Sequence, residues 1–120
     1  MIRIFFYITI AFSLMLSVAN GLSQSSKKTS VIIKTKIYCD HCADCESCKP
    51  RIEHDLSFAK GVKSVLVDVK KEEIKVIYNP AKTTVDEIRK EINKAGFDAD
   101  DKIADAIYVK KLDDCCRKPD

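Results

Sequence analysis

Val31, Ile33, Thr35 and Ile37 alternate with Lys34, Lys36 and Tyr38. A period of two predicts a strand over residues 31–38 with one buried face. The period then changes. Ile52, Leu56 and Ala59 recur at i, i+4 and i+7 with polar residues between them, so residues 47–59 read as an amphipathic helix. Ser47 stands at the N-cap position, Pro50 is tolerated in a first turn that has no partner for its missing N–H, and Gly61 ends the element. Val65, Val67 and Val69 restore the period of two across residues 62–69. Ile74, Val76 and Tyr78 continue it after Lys70-Lys71-Glu72, which predicts a hairpin. Asn79-Pro80 stops the third strand. Thr84-x-x-Glu87 is a capping box, followed by a helical stripe of Val85, Ile88, Ile92 and Ala95 that Gly96 terminates.

From Phe97 the chain turns extended again, with a short strand expected over residues 97–103 and a short helix over 105–112 capped by Asp105. The element order is strand, helix, strand, strand, helix, strand. It predicts an α+β, ferredoxin-like βαββαβ sandwich: four antiparallel strands with two helices on one face, plus a short C-terminal helical tail. Neither helix is long enough to persist in water without packing on the sheet.

The first 23 of the 120 residues are set apart. Arg3 precedes a mostly apolar run from Ile4 to Leu16, and small and polar residues follow through Ser23. This pattern predicts a signal peptide, with cleavage after Ala19, Gly21 or Ser23, and a soluble product in the periplasm or outside the cell. The run is short for a membrane span, which takes about 20 apolar residues. Residues 24–30 read as a flexible linker, residues 31–103 as the folded domain and residues 104–120 as a tail.

Composition narrows the reading in two places. A net charge of +3, without a basic stripe interleaved with aromatics, excludes nucleic acid as the expected partner. Charged residues at 32% and apolar residues at 46% fit a folded domain and argue against disorder.

The chemistry lies in six cysteines. Cys39, Cys42, Cys45 and Cys48 recur every third residue between the first strand and the first helix, with His41 among them. Cys115 and Cys116 follow much later. Their neighbours Asp40, Asp44, Glu46 and Ser47 predict an exposed loop. Thiolates are soft ligands that select Cu(I), Zn(II) and similar ions. Cys45-x-x-Cys48 runs into a helix start, where the dipole and unpaired N–H groups favour the thiolate. Two ligands on a loop leave an ion open to a partner's thiols. Adding Cys42 or Cys39 would approach the tetrahedral shell of structural zinc.

The same spacing admits a disulfide in an exported chain. For Cys39 and Cys42, disulfide and spare-ligand readings stay open. His41 reads more simply as a loop residue than as a ligand, and His54 as helix surface. Vicinal Cys115 and Cys116 are poorly placed to bond each other. No Ser/His/Asp or Cys/His/Asn set is assembled, so no enzyme is expected. The ferredoxin cluster motif fails on its last gap and on the position of Pro50. A thioredoxin-like oxidoreductase does not suit this strand order.

Residues 31–100 resemble the heavy-metal-associated domain family. Cys45-Glu-Ser-Cys48 falls at that family's metal-binding Cys-x-x-Cys. Ile52 and Leu56 fall at its inward helix positions, Gly61-Val62 at its post-helix pair, and Ile88, Ile92 and Gly96-Phe97-Asp98-Ala99 at its second helix and Gly-aromatic turn. A signal segment followed by one such domain is similar to exported mercury- and copper-binding members. The resemblance implies the βαββαβ fold and a soft ion, Cu(I), Zn(II) or Hg(II), held mainly by Cys45 and Cys48. It implies Phe97 as an aromatic wall beside the ion and, as partner, a metal-donor or metal-acceptor protein such as a membrane transporter, with the chain itself a monomer. Ala43 departs from the Met usual at that place, and Cys39, His41, Cys42, Cys115 and Cys116 lie outside the family motif.

The tail carries the last expectation. In the split βαβ fold the final strand starts near the metal loop and runs away from it. A helix over residues 105–112 spans only about 12 Å, enough to bring the chain back across the sheet edge. Cys115 or Cys116 is then expected to supply a ligand or a disulfide partner to loop 39–48. The alternative is an unattached tail that scavenges ions or binds a partner.

Overall fold

The computed structural model describes residues 27–39 and 47–119. The signal segment 1–23, the first part of the linker and residues 40–46, with His41, Cys42 and Cys45, lie outside the described residues. No described helix is long and apolar enough to cross a membrane.

The sheet has three strands: β1 (Thr29–Lys34), β2 (Val62–Asp68) and β3 (Glu73–Tyr78). Their order is β1-β3-β2, all antiparallel, with β3 central. Ile33 and Val67 both pair with Ile74, and Val31 and Val65 both pair with Val76, so apolar side chains line up across one face. The opposite face exposes Ile32 and Leu66 either side of Lys75. A register shift between Val62 and Ser64 leaves Lys63 as the extra residue of β2. Two helices cover the apolar face, α1 (Cys48–Ser57) and α2 (Val85–Lys94). Their buried Ile52, Leu56, Ile88 and Ile92 close one core with Ile33, Val67, Ile74 and Val76.

Local chemistry explains most boundaries. At α2 the Glu87 N–H donates to Thr84 Oγ1 at 3.2 Å, and the Thr84 N–H donates to Glu87 Oε2 at 2.9 Å, the reciprocal capping box. Gly61 adopts φ +78° beneath Thr83, where a Cβ would meet Lys82 Cβ at 2.9 Å. Ser47 does not cap α1 through its side chain. It has already entered the helical region (φ −91°, ψ −61°), where its hydroxyl is not aimed at the first turn, and it contributes only its carbonyl to the Arg51 N–H.

Three other expectations need correction. The strand ladder of β1 starts at Thr29 and stops at Lys34, where β3 begins its turn. The Thr35 N–H still donates to the Glu72 carbonyl, and alternating burial runs on through Ile37 to Cys39. The fourth strand expected over residues 97–103 is not formed among the described residues. Asp100 takes φ +53°, and Ala99 and Lys102 exchange backbone hydrogen bonds, so the segment folds into a tight turn. Only one rung meets β1: Asp100 N–H donates to the Lys34 carbonyl at 2.8 Å, and the Lys34 N–H donates to Asp100 Oδ1 at 2.8 Å. Asn93 Nδ2 donates to the Phe97 and Lys102 carbonyls and ties the turn to α2. Finally, the tail helix is shorter than expected. α3 (Ala106–Val109) is one turn capped by the Asp105 carboxylate, and a 3₁₀ turn (Asp114–Cys116) follows.

Candidate metal centre and its disulfide clip

Cys48 is the first residue of α1 and is fully buried. The reason is the helix period: Cys48, Ile52 and Leu56 form one stripe at i, i+4 and i+8, and all three face the core. Pro50 sits in the first turn, where its missing N–H donor costs no intrahelical hydrogen bond. Cys39 is also buried, at the end of the row Ile33, Thr35, Ile37. Both described ends of the Cys-rich loop are therefore turned into the protein, against the expectation of an exposed loop. The acidic neighbours that suggested exposure lie between them.

The tail reaches this site. Cys116 is 4% exposed, and its sulfur is bonded to that of Cys48 across 68 residues of sequence, with the Cα atoms 6.1 Å apart. Cys115 is exposed. Contacts of the tail with Gly96 and with itself hold Cys116. Leu112 is buried against Gly96, and the Cys116 N–H donates to the Asp113 carbonyl at 2.9 Å. Arg117 Nε donates to the Leu112 carbonyl at 3.1 Å, and its guanidinium pairs with Asp114.

Cys116 also lines a cavity of about 380 Å³ with Tyr38, Phe97, Val109 and Leu112. Lys36, Lys110 and Lys118 border the same cavity. Lys36 pairs with Glu72, whose carboxyl it holds below the usual range chiefly through their hydrogen bond. The Lys36 ammonium is raised in return. Phe97 is 3% exposed, so it is at once a core residue and a wall of the cavity that Cys116 enters. His54 is exposed on α1, edge-on to the Phe58 ring at 5.0 Å and 3.2 Å from Asp55 Oδ1. Among the described residues no three potential ligands converge on one point.

Residues 43–98 match the model of the heavy-metal-associated domain. The matched stretch includes Cys45, Cys48, both helices and Phe97. It excludes β1 and the whole tail, so the disulfide joins the domain to a segment outside the matched region. A copper-exporting P-type ATPase of Staphylococcus saprophyticus is 37% identical over 71 residues, which are 58% of this chain and 9% of the ATPase. The chain thus spans less than a tenth of that relative's length. The copper form of a CopA variant from Bacillus subtilis is 28% identical and superposes with a TM-score of 0.51 over 62% of this chain and 92% of the other. Oxidized MerP from Ralstonia metallidurans is 22% identical with a TM-score of 0.53, over 61% and 94% of the two chains, a likeness of fold.

Two residues escaped the sequence reading in their structural role. The burial of Cys48 was available as the i−4 continuation of Ile52 and Leu56. The contact of Leu112 with Gly96 leaves no periodic signal, because the tail is too short to have a period.

Proposed function

We propose that this protein captures a soft metal ion and passes it on by stepwise thiolate exchange, with Cys45 and Cys48 as the principal ligands. The observation that carries this reading is the position of Cys48. It opens α1 inside the heavy-metal-associated stretch, at a helix N-terminus that favours thiolate over thiol, and Cys45 stands three residues before it in the sequence. Cu(I), Zn(II) and Hg(II) all suit thiolate ligands. Cu(I) is the first ion to test, because the ATPase and CopA are named for copper. The partner is a metal donor or acceptor, such as a membrane transporter. The protein acts as an exported monomer after loss of residues 1–23, and no catalytic step is part of the reading.

Anaerobic titration of the reduced protein tests it. One Cu(I) is expected to bind tightly, and Cys45→Ser with Cys48→Ser should abolish that binding. Intact binding in the double variant removes the assignment. Export is tested by mass spectrometry of the mature N-terminus, and a chain retaining Met1 in membrane fractions contradicts it.

A second reading, a thiol–disulfide or disulfide-stabilised envelope protein, draws support from the Cys48–Cys116 bond. It expects reduction to lower stability and to create no high-affinity ion site.

A further inference from the structure

We infer that Cys116 is a ligand delivered by the tail: in the reduced protein it shares the captured ion with Cys48, and the Cys48–Cys116 disulfide is the closed form of the same site. This inference rests on the metal-transfer reading and names a residue outside its Cys-x-x-Cys pair.

The tail holds Cys116 in place by contacts that do not depend on the bond. Leu112 packs on Gly96, the 3₁₀ turn closes on Asp113, and Arg117 grips the Leu112 carbonyl. When the bond opens, these contacts keep the Cys116 backbone beside Cys48. A thiolate lies about 2.3 Å from a bound ion such as zinc. Two cysteines with Cα atoms 6.1 Å apart can therefore both reach one ion by side-chain rotation alone. Cys115, on the same 3₁₀ turn, is exposed, whereas Cys116 is buried.

The cavity gives the route of opening. It reaches Cys116 but is not lined by Cys48. A thiolate of a dithiol reductant attacks the Cys116 sulfur and forms a mixed disulfide, and the Cys48 thiolate leaves. The N-terminus of α1 stabilises that departing charge. The second thiol of the reductant then bonds to the first and releases Cys116. The reductant ends as its own disulfide, and two electrons and two protons reside on Cys48 and Cys116. Binding of the ion displaces those two protons to solvent. Lys36, Lys110 and Lys118 around the cavity favour an anionic attacking sulfur.

The test uses the reduced full chain with Cys39→Ala, Cys42→Ser and Cys115→Ser, so that only Cys45, Cys48 and Cys116 remain. Cu(I) is titrated against a competing chelator, and sulfur coordination is read by X-ray absorption. Three sulfurs are expected. Adding Cys116→Ser should leave two and weaken binding by about tenfold or more. Unchanged coordination and affinity overturn the inference and leave the Cys45–Cys48 reading standing. If wild-type reduced protein binds no ion, the metal-transfer reading itself fails. Should the multiple variant not fold, single Cys116→Ser and Cys115→Ser chains are compared. Only Cys116→Ser should lower the sulfur count, and equal effects of the two overturn the inference.

Discussion

Leu112 fills the space that a side chain on Gly96 would need: a Cβ there would lie 2.8 Å from Leu112 Cγ. Gly96 also adopts φ +99°, a conformation that L residues rarely hold. One backbone position thus ends α2, starts the turn toward Phe97 and seats the tail. Gly96→Ala should destabilise the fold by about 1–3 kcal/mol, and Leu112→Ala by about 2–5 kcal/mol. Urea unfolding of each variant checks this. A Leu112→Ala chain as stable as wild type would mean the tail is not seated.

The disulfide joins residues 68 apart in sequence, from the start of α1 to the tail. Loop-closure entropy for that length is worth about 4 kcal/mol in favour of the oxidised chain. Cys116→Ser should move the urea midpoint down accordingly, and reduction of the wild-type chain should do the same. Coincident unfolding curves for oxidised and reduced protein would contradict the clip.

Thr35 offers a test in the opposite direction. Its hydroxyl is buried, with no hydrogen-bond partner among the described residues. Thr35→Val keeps the shape and removes an unsatisfied polar atom, so it should stabilise by about 1 kcal/mol. A loss of stability would show that the hydroxyl has a partner.

Acid should weaken the second helix. Glu87 is held below the usual carboxylate range, first by the Thr84 N–H and then by the Thr83 hydroxyl, and Asp86 chiefly by Arg89. Groups with lowered folded values stabilise fully above their ordinary values, and that contribution disappears as pH falls through the folded ones. Stability should therefore fall on the acid side of about pH 4. Glu87→Gln keeps the capping geometry but removes this titration, so its acid-side stability profile should be shallower than that of wild type. Identical profiles would place the sensitivity elsewhere.

Periodic segments made the fold legible. The capping box at Thr84 and Glu87, the paired valines of β2 and the central row of β3 each have a local signal, and the structure follows them. The resemblance around Cys45-Glu-Ser-Cys48 likewise led to the heavy-metal-associated domain. Residues 97–103 were misread because Phe97 and Ala99 are buried like strand residues, whereas the left-handed Asp100 that folds them back has no distinctive neighbour. Ser47 stands at the N-cap as expected, but composition does not reveal that its backbone is already helical and that its side chain makes no cap hydrogen bond. A disulfide between the tail and loop 39–48 was expected, but the choice of Cys116 and Cys48 left no signal, because Leu112 and Gly96 meet from segments that share no pattern.

The central claim is that an ion occupies thiolates which oxidation ties together. Its most direct test is Cu(I) titration of one protein preparation before and after full reduction, with a competing chelator and the Cys48–Cys116 bond verified by mass mapping. The reduced chain should bind one ion tightly, and the oxidised chain should lose that site. Equal affinity in the two states would show that Cys48 is not a ligand and would contradict the account.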